Sequence, residues 1–315
     1  MKKLFFLSMA AIAIFFAGCN ENEPDAAPGD NSYTTNNTNN NNAPSVVNGQ
    51  LSGAFSVSAT EKVHFSQGNL QYNAAQNTWR FAENQYDTIG KVANQQIASD
   101  YDGYIDLFGW GTSGYNNKDP WKYGGNPSEY GDGTNSISNT DYDWGTHNAI
   151  SNGGNMTHLW RTLTWDEWLY IFHGRSNFEN LFSLGSVNGI KGLILLPDDW
   201  NLPNGATFNP STSNGLTWKN SNYYENSTYG ANNYSDNAYL TSDGSWQKME
   251  TAGAVFLPAA GCRESYIYGV GSLGSYWCST PAGTHGARYL HFNSTSIDLS
   301  DGTNRDDGLS VRLVR

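Results

Sequence analysis

Histidine and cysteine are the side chains here best suited to metal binding or nucleophilic attack, and their spacing argues for neither. The six histidines, His64, His147, His158, His173, His285 and His291, fall at no metal-ligand spacing, and isolated histidines are ordinarily surface or core residues. There is no Gly-x-Ser-x-Gly, no phosphate-binding loop and no His-Glu-x-x-His, so the common hydrolase, nucleotide and zinc-protease chemistries have no foothold. Asp298, Asp301, Asp306 and Asp307 crowd the stretch NSTSIDLSDGTNRDDG. Their spacing does not match an EF-hand, so they read as solvated acids. No metal and no cofactor is expected.

That same stretch belongs to a window of unusual composition. From Ser265 to Arg315 there is no Lys, Glu, Gln or Met, although the 245 positions from Asn20 to Glu264 hold 27 of them. At that rate about five or six would be expected. The only Trp in the window is Trp277. Elsewhere Gly, Asn, Ser and Tyr are abundant and charges few, a composition of exposed recognition surfaces and equally of loop-rich extracellular domains.

The elements that must position such a surface are short. A chain of 315 residues with 14% aromatics buries a substantial core. A net charge of -12, with only 17 Lys and Arg, argues against a nucleic-acid partner, and none is expected. At the start, MKK and the apolar LFFLSMAAIAIFFA read as a secretory signal peptide over residues 1–18. Ala17-Gly18-Cys19 resembles a bacterial lipobox, which makes Cys19 the expected lipidation site and the outer membrane, facing the exterior, the expected location. Residues 19–50 are rich in Asn and have almost nothing to bury. They are expected to form a disordered tether with a reach of about 30 Å. From Leu51 to Arg315 the pattern is one domain of alternating short strands. The region around Trp110, Trp121 and Trp144 reads as ordered loops pinned by these rings. In WRTLTWDEWLYIFHGR, Thr164 and Glu167 form a capping box for an amphipathic helix stopping near Gly174. GIKGLILLPDDW and AVFLPAAGCR read as buried strands, GSWQKMETAG as a short helix, and SLGSYWCST, ARYLHFNSTSID and LSVRLVR as closing strands.

These signposts resemble a known family. WRTLTWDEWLYIF is similar to the helix of formylglycine-generating-enzyme-type domains, and LPAAGCR, YWCST and GLSVRLVR are similar to the closing strands of their C-type-lectin-like fold. The expected class is therefore α+β, loop-rich, with small antiparallel sheets. Within it the chain resembles bacterial lipoproteins whose C-terminal segment is rewritten by a diversity-generating retroelement acting on adenines of AAC codons. Codons of the form NNC encode neither Lys, Glu, Gln, Met nor Trp, which are the types missing from the window outside Trp277. The oxidase members of the fold use a cysteine pair at a copper site. Cys262 and Cys278 stand where the variable class has Tyr and Ser, so that activity is not carried over.

The resemblance implies a diversified ligand-binding protein with its variable region at 265–310. A fixed adhesin or carbohydrate-binding module on the same fold is the alternative, and an oxidase a remote third. The partner would be a protein or glycan at the cell surface, with membrane attachment through the lipid alone. The expected binding face comprises Tyr266, Tyr268, Leu273, Ser275, Thr284, His285, Arg288, Tyr289, His291, Asp298, Leu299, Asp301, Thr303, Asp306 and Asp307. Trp277, Leu290, Phe292, Val311 and Leu313 should face inward. If AVFLPAAGCR and SYWCST pair as antiparallel neighbours, Cys262 and Cys278 would bond, closing a loop of about 15 residues that stabilises by about 3 kcal/mol.

Overall fold

The computed structural model describes residues 46–315, apart from 97, 215–216, 220–222, 226–228, 238–242 and 300–301. The expected signal peptide, Cys19, most of the tether and Asp301 lie outside the described residues. The chain is mixed α+β, with short helices and small, mostly antiparallel sheets. Its first strands begin before Leu51. Val46–Val47 pairs with Gln50–Leu51 around a tight turn at Asn48-Gly49, with φ of 48° and 74°. Asn-Gly supplies two positive φ angles with little strain, which is what a two-residue hairpin requires. The same pair at 188–189 joins Phe182–Val187 to Ile190–Leu195. Among the described residues, eight of the nine non-glycine positions at positive φ are Asn. At these positions Asn turns the backbone, which its short polar side chain tolerates better than most.

Two sheets carry the body. Phe182–Val187, Ile190–Leu195 and Val255–Pro258 form an antiparallel set, joined along one edge by the short parallel strand Asn233–Tyr234. The helix Trp165–Leu169 packs nearby and widens into a π turn over Tyr170–Gly174. Its start is locked reciprocally: Glu167 N donates to Thr164 Oγ1 at 3.2 Å, and Thr164 N donates to Glu167 Oε2 at 2.7 Å. The second sheet is built on a hairpin of Gly274–Ala282 and Gly286–Phe292, extended by Ser296–Asp298 and Gly302–Asn304. It begins at a glycine of necessity, since a Cβ on Gly274 would lie 2.1 Å from the Phe292 ring.

The hairpin separates two cores. Tyr276, Cys278, Leu290 and Phe292 face a cluster that includes Trp168, Phe172, Leu193 and Leu257. Trp277 and Ala287, with Tyr289 partly buried beside them, face an aromatic cluster of Trp79, Phe108, Trp110, Trp144 and Trp160. The pleat sends successive side chains to opposite faces, so one ribbon can serve both. Of the three loop tryptophans, Trp110 and Trp144 are fully buried, whereas Trp121 is only half-buried.

The C-terminal segment runs through the middle. Val311 and Leu313 are buried as expected, and Ser310, Arg312 and Val314 between and beside them are equally buried. The reason is that the segment has neighbours on both sides. Leu313–Val314 pairs with Arg161–Thr162, Trp277 N donates to Ser310 O at 3.0 Å, and Leu70 N to Val311 O at 2.9 Å. His64 and Arg315 exchange backbone bonds at 2.8 and 3.0 Å, which brings the start of the described fold against its end.

Three arginines of the closing region are interior. Arg305, which reads as part of a polar loop, is 0% exposed. Its guanidinium donates to the carbonyl oxygens of Gly286, Gly283, Tyr130 and Gly133 and lies over the Trp110 ring. Arg263 donates to Asn94 O and Leu107 O, and Arg312 to Asn69 Oδ1 and Gln85 Oε1. Arg305→Lys should lower unfolding stability by about 3 kcal/mol, because an ammonium cannot span the carbonyl set. Thr164→Ala should cost only about 1 kcal/mol. Urea melts of the two variants measure both, and equal losses would contradict the assignment.

Candidate functional site

Where the closing loops meet the 263–268 turn, two adjoining clefts open. The larger, about 420 Å³, is lined by Tyr123, Glu264, Ser265, Thr303, Asn304, Asp306 and Asp307. The smaller, about 40 Å³, is lined by Cys262, Tyr268, Ser275, Tyr289, His291 and Leu309 and shares Glu264, Thr303 and Asp307 with its neighbour. Strand register explains the gathering. Ser275 stands opposite His291, His291 opposite Asp298, and Thr303 opposite Ala287. Paired residues project to one face of a sheet, here the face of the aromatic core. Ser275 Oγ lies 3.2 Å from His291 Nδ1, and the Tyr289 and His291 rings meet edge to face at 5.7 Å. Tyr266 and Tyr268 are ring neighbours at 5.4 Å, and Tyr268 donates its hydroxyl to Glu264 Oε1.

The site is acidic and its carboxylates are unequal. Asp307 accepts from Thr303 Oγ1 at 2.5 Å. Burial raises its pKa to about 6, outweighing the Thr303 hydrogen bond, and the charges of Glu264 and Asp306 raise it further. Burial also pushes the Cys262 thiol up to about 11. At neutral pH it is a thiol, not a nucleophilic thiolate. The lining offers hydrogen-bond acceptors, hydroxyls and tyrosine rings, a set suited to holding a ligand.

The fifteen expected face residues divide. Tyr266, Tyr268, Ser275, Tyr289, His291, Thr303, Asp306 and Asp307 gather at the clefts, and Asp298 stands beside His291. Exposure was expected throughout, and three of these correct it: Ser275 is 2% exposed, Asp307 8% and Leu299 0%. Ser275 faces the closing core between its strand partners. Asp307 is capped by Thr303, so it is not a solvated acid. Leu299 belongs to the core beneath the 165–169 helix, where its carbonyl accepts from the Trp165 indole. Thr284 and His285 sit exposed at the hairpin tip. Arg288 points to the other face of the ribbon, with its guanidinium 5.0 Å from the Trp165 ring. Leu273 packs half-buried against the aromatic core.

Six lining residues are not among the fifteen: Ser265, Asn304 and Leu309 lie inside the compositional window, and Tyr123, Glu264 and Cys262 outside it. Tyr123 arrives from a loop some 180 positions away from Thr303, and nothing local to it signals this. Glu264 and Cys262 lie just before the compositional window, so its boundary masks them. The expected disulfide is also corrected. Cys262 and Cys278 are free and buried in different clusters. Gly261 meets Gly274 in a parallel bridge, which sets Cys262 beside Ser275, roughly 10 Å along the strand from Cys278.

No family model, curated protein or solved structure matches the chain.

Asp106, Asp143 and Asp307 are each raised to about 6 by burial. Their folded pKa values exceed the unfolded value of about 3.9, so the native state retains protons that the unfolded chain releases. Their contribution is fully present below about pH 4 and is lost as pH rises through about 6. Asp307→Asn should flatten that part of the stability-pH curve. Denaturant melts between pH 4 and 7 test this, and an unchanged slope would refute the assignment of Asp307.

Proposed function

We propose that this protein is a surface-displayed ligand-binding lipoprotein, anchored through Cys19 to the outer membrane and facing the exterior. Its domain is of the C-type-lectin-like, formylglycine-generating-enzyme type, and the closing face is diversified to bind varying protein or glycan ligands. The observation that carries the reading is the separation of two residue sets within one short segment. Trp277, Leu290, Phe292, Val311 and Leu313 are all buried. Tyr266, Tyr268, Tyr289, His291, Thr303 and Asp306 stand at one group of clefts. Of these six, Tyr266 is exposed and the rest are half-buried; such a face changes most cheaply at its exposed positions, where substitutions usually alter stability by within about 0.5 kcal/mol. Tyrosine and histidine would anchor ligands, giving large contact area for little lost rotamer entropy. The absence of Lys, Glu, Gln and Met after Glu264 is what NNC codons would leave behind.

Sequencing the gene and its flanks across many cells of one lineage tests the proposal. Expected are an upstream reverse transcriptase, a near-identical template repeat, and substitutions at residues such as Tyr266, Tyr289 and Asp306 with none at Trp277. Uniform sequences with neither element would favour a fixed adhesin. Protease applied to intact cells should remove the domain, and full protection would place it in the periplasm.

A further inference from the structure

A separate cleft, of about 340 Å³, is built entirely from residues before the compositional window. Tyr72 and Trp121 form its aromatic wall, with ring centroids 6.3 Å apart and planes at 18°. Tyr72 is buried while Trp121 is half-buried, so the indole is the ring offered to solvent. A tryptophan retained at a cleft mouth, when Trp110 and Trp144 are fully buried in the same loop region, is a costly exposure unless something covers it.

The polar groups of the lining are partly spent and partly unspent. Asn148 Nδ2 donates to Ser113 O at 2.8 Å and Trp144 O at 3.1 Å, which fixes the carboxamide and leaves Oδ1 as the acceptor without a protein partner. His147 Nδ1 lies 3.3 Å from Asp141 Oδ1, so Nε2 is the ring nitrogen that remains. The Asp119 carboxylate and the Trp121 indole N–H also lack side-chain hydrogen-bond partners among the described residues, and all four of these residues line the cleft. Two acceptors, of which Asn148 Oδ1 is held in place, one indole donor and one imidazole nitrogen thus belong to residues lining a cleft with an aromatic wall, a cleft within the size range of small-ligand sites, roughly 300–1,000 Å³.

We propose that this cleft binds a neutral saccharide. A pyranose carries axial C–H groups that lie against the electron-rich face of an aromatic ring, and hydroxyls that both donate and accept. It fits an apolar wall facing mixed donors and acceptors. An anionic ligand does not fit, because the lining contains Asp119 and neither Lys nor Arg. The inference is independent of whether the closing face is diversified.

Saturation-transfer NMR on the purified full chain tests it, with the methyl glycosides of glucose, galactose, mannose, N-acetylglucosamine and fucose as probes, backed by tryptophan fluorescence titration. At least one glycoside should show transfer to its ring protons with millimolar affinity. Trp121→Ala should weaken that binding at least tenfold. Asp119→Asn, a near-isosteric change, should weaken it several-fold with an unchanged melting temperature, and Asp306→Ser at the closing cleft should leave it unchanged. No transfer to any of the five, or transfer indifferent to both Trp121→Ala and Asp119→Asn, would overturn the proposal.

Discussion

The closing region depends on buried guanidinium groups that donate to backbone carbonyl and side-chain amide oxygens rather than to carboxylates. Arg305 gathers four carbonyl oxygens from two chain segments, 130–133 and 283–286. Arg263 ties the turn before the compositional window to Asn94 and Leu107, and Arg312 joins the final segment to Asn69 and Gln85. Burial lowers the pKa of all three, to about 10 for Arg263 and Arg312, which still leaves them charged at neutral pH. A buried charge is tolerated only where oxygen dipoles replace its hydration. Each arginine therefore demands its loops in one arrangement, and the loops cannot drift without stranding a cation.

That constraint accounts for the character of the cleft. Long irregular segments ordinarily fluctuate, because few of their backbone groups are paired and little apolar surface holds them. Here Arg305 fixes the loop after Gly302 from below, and the hairpin that carries Tyr289 and His291 is clamped between two cores. Side chains on the outer surface are thereby relieved of structural work. A ligand meeting them would lose less binding free energy to the ordering of loops than one meeting a mobile surface.

Local signals were the legible ones. The Thr164–Glu167 capping box and the apolar strands at 190–195 and 255–258 follow from spacing alone, as does the inward set from Trp277 to Leu313. What escaped was nonlocal. Arg305 sits among Asn, Asp and Gly and looks solvated, but its partners are some 20 and 170 residues away. Leu299 lies in the same polar run and is buried because the Trp165 helix covers it. The two cysteines looked pairable on the assumption that their strands were antiparallel neighbours, and a single parallel bridge at Gly261 and Gly274 defeats that. The Asn-Gly turns at 48–49 and 188–189 carry their conformation in the dipeptide itself, yet the first was read as part of the disordered tether and the second was not read as a turn.

The central claim is that a replaceable face rests on an irreplaceable frame. Two libraries displayed on a cell surface measure it directly, one with NNC codons at Tyr266, Tyr268, Tyr289, His291, Thr303 and Asp306, the other with NNC codons at Arg263, Arg305 and Arg312. The readout is the fraction of clones resisting protease at a temperature just below the parent's midpoint. Most of the first library should survive, and survivors of the second should be almost entirely those that retain all three arginines. Comparable survival in the two libraries, at any level, would contradict the account.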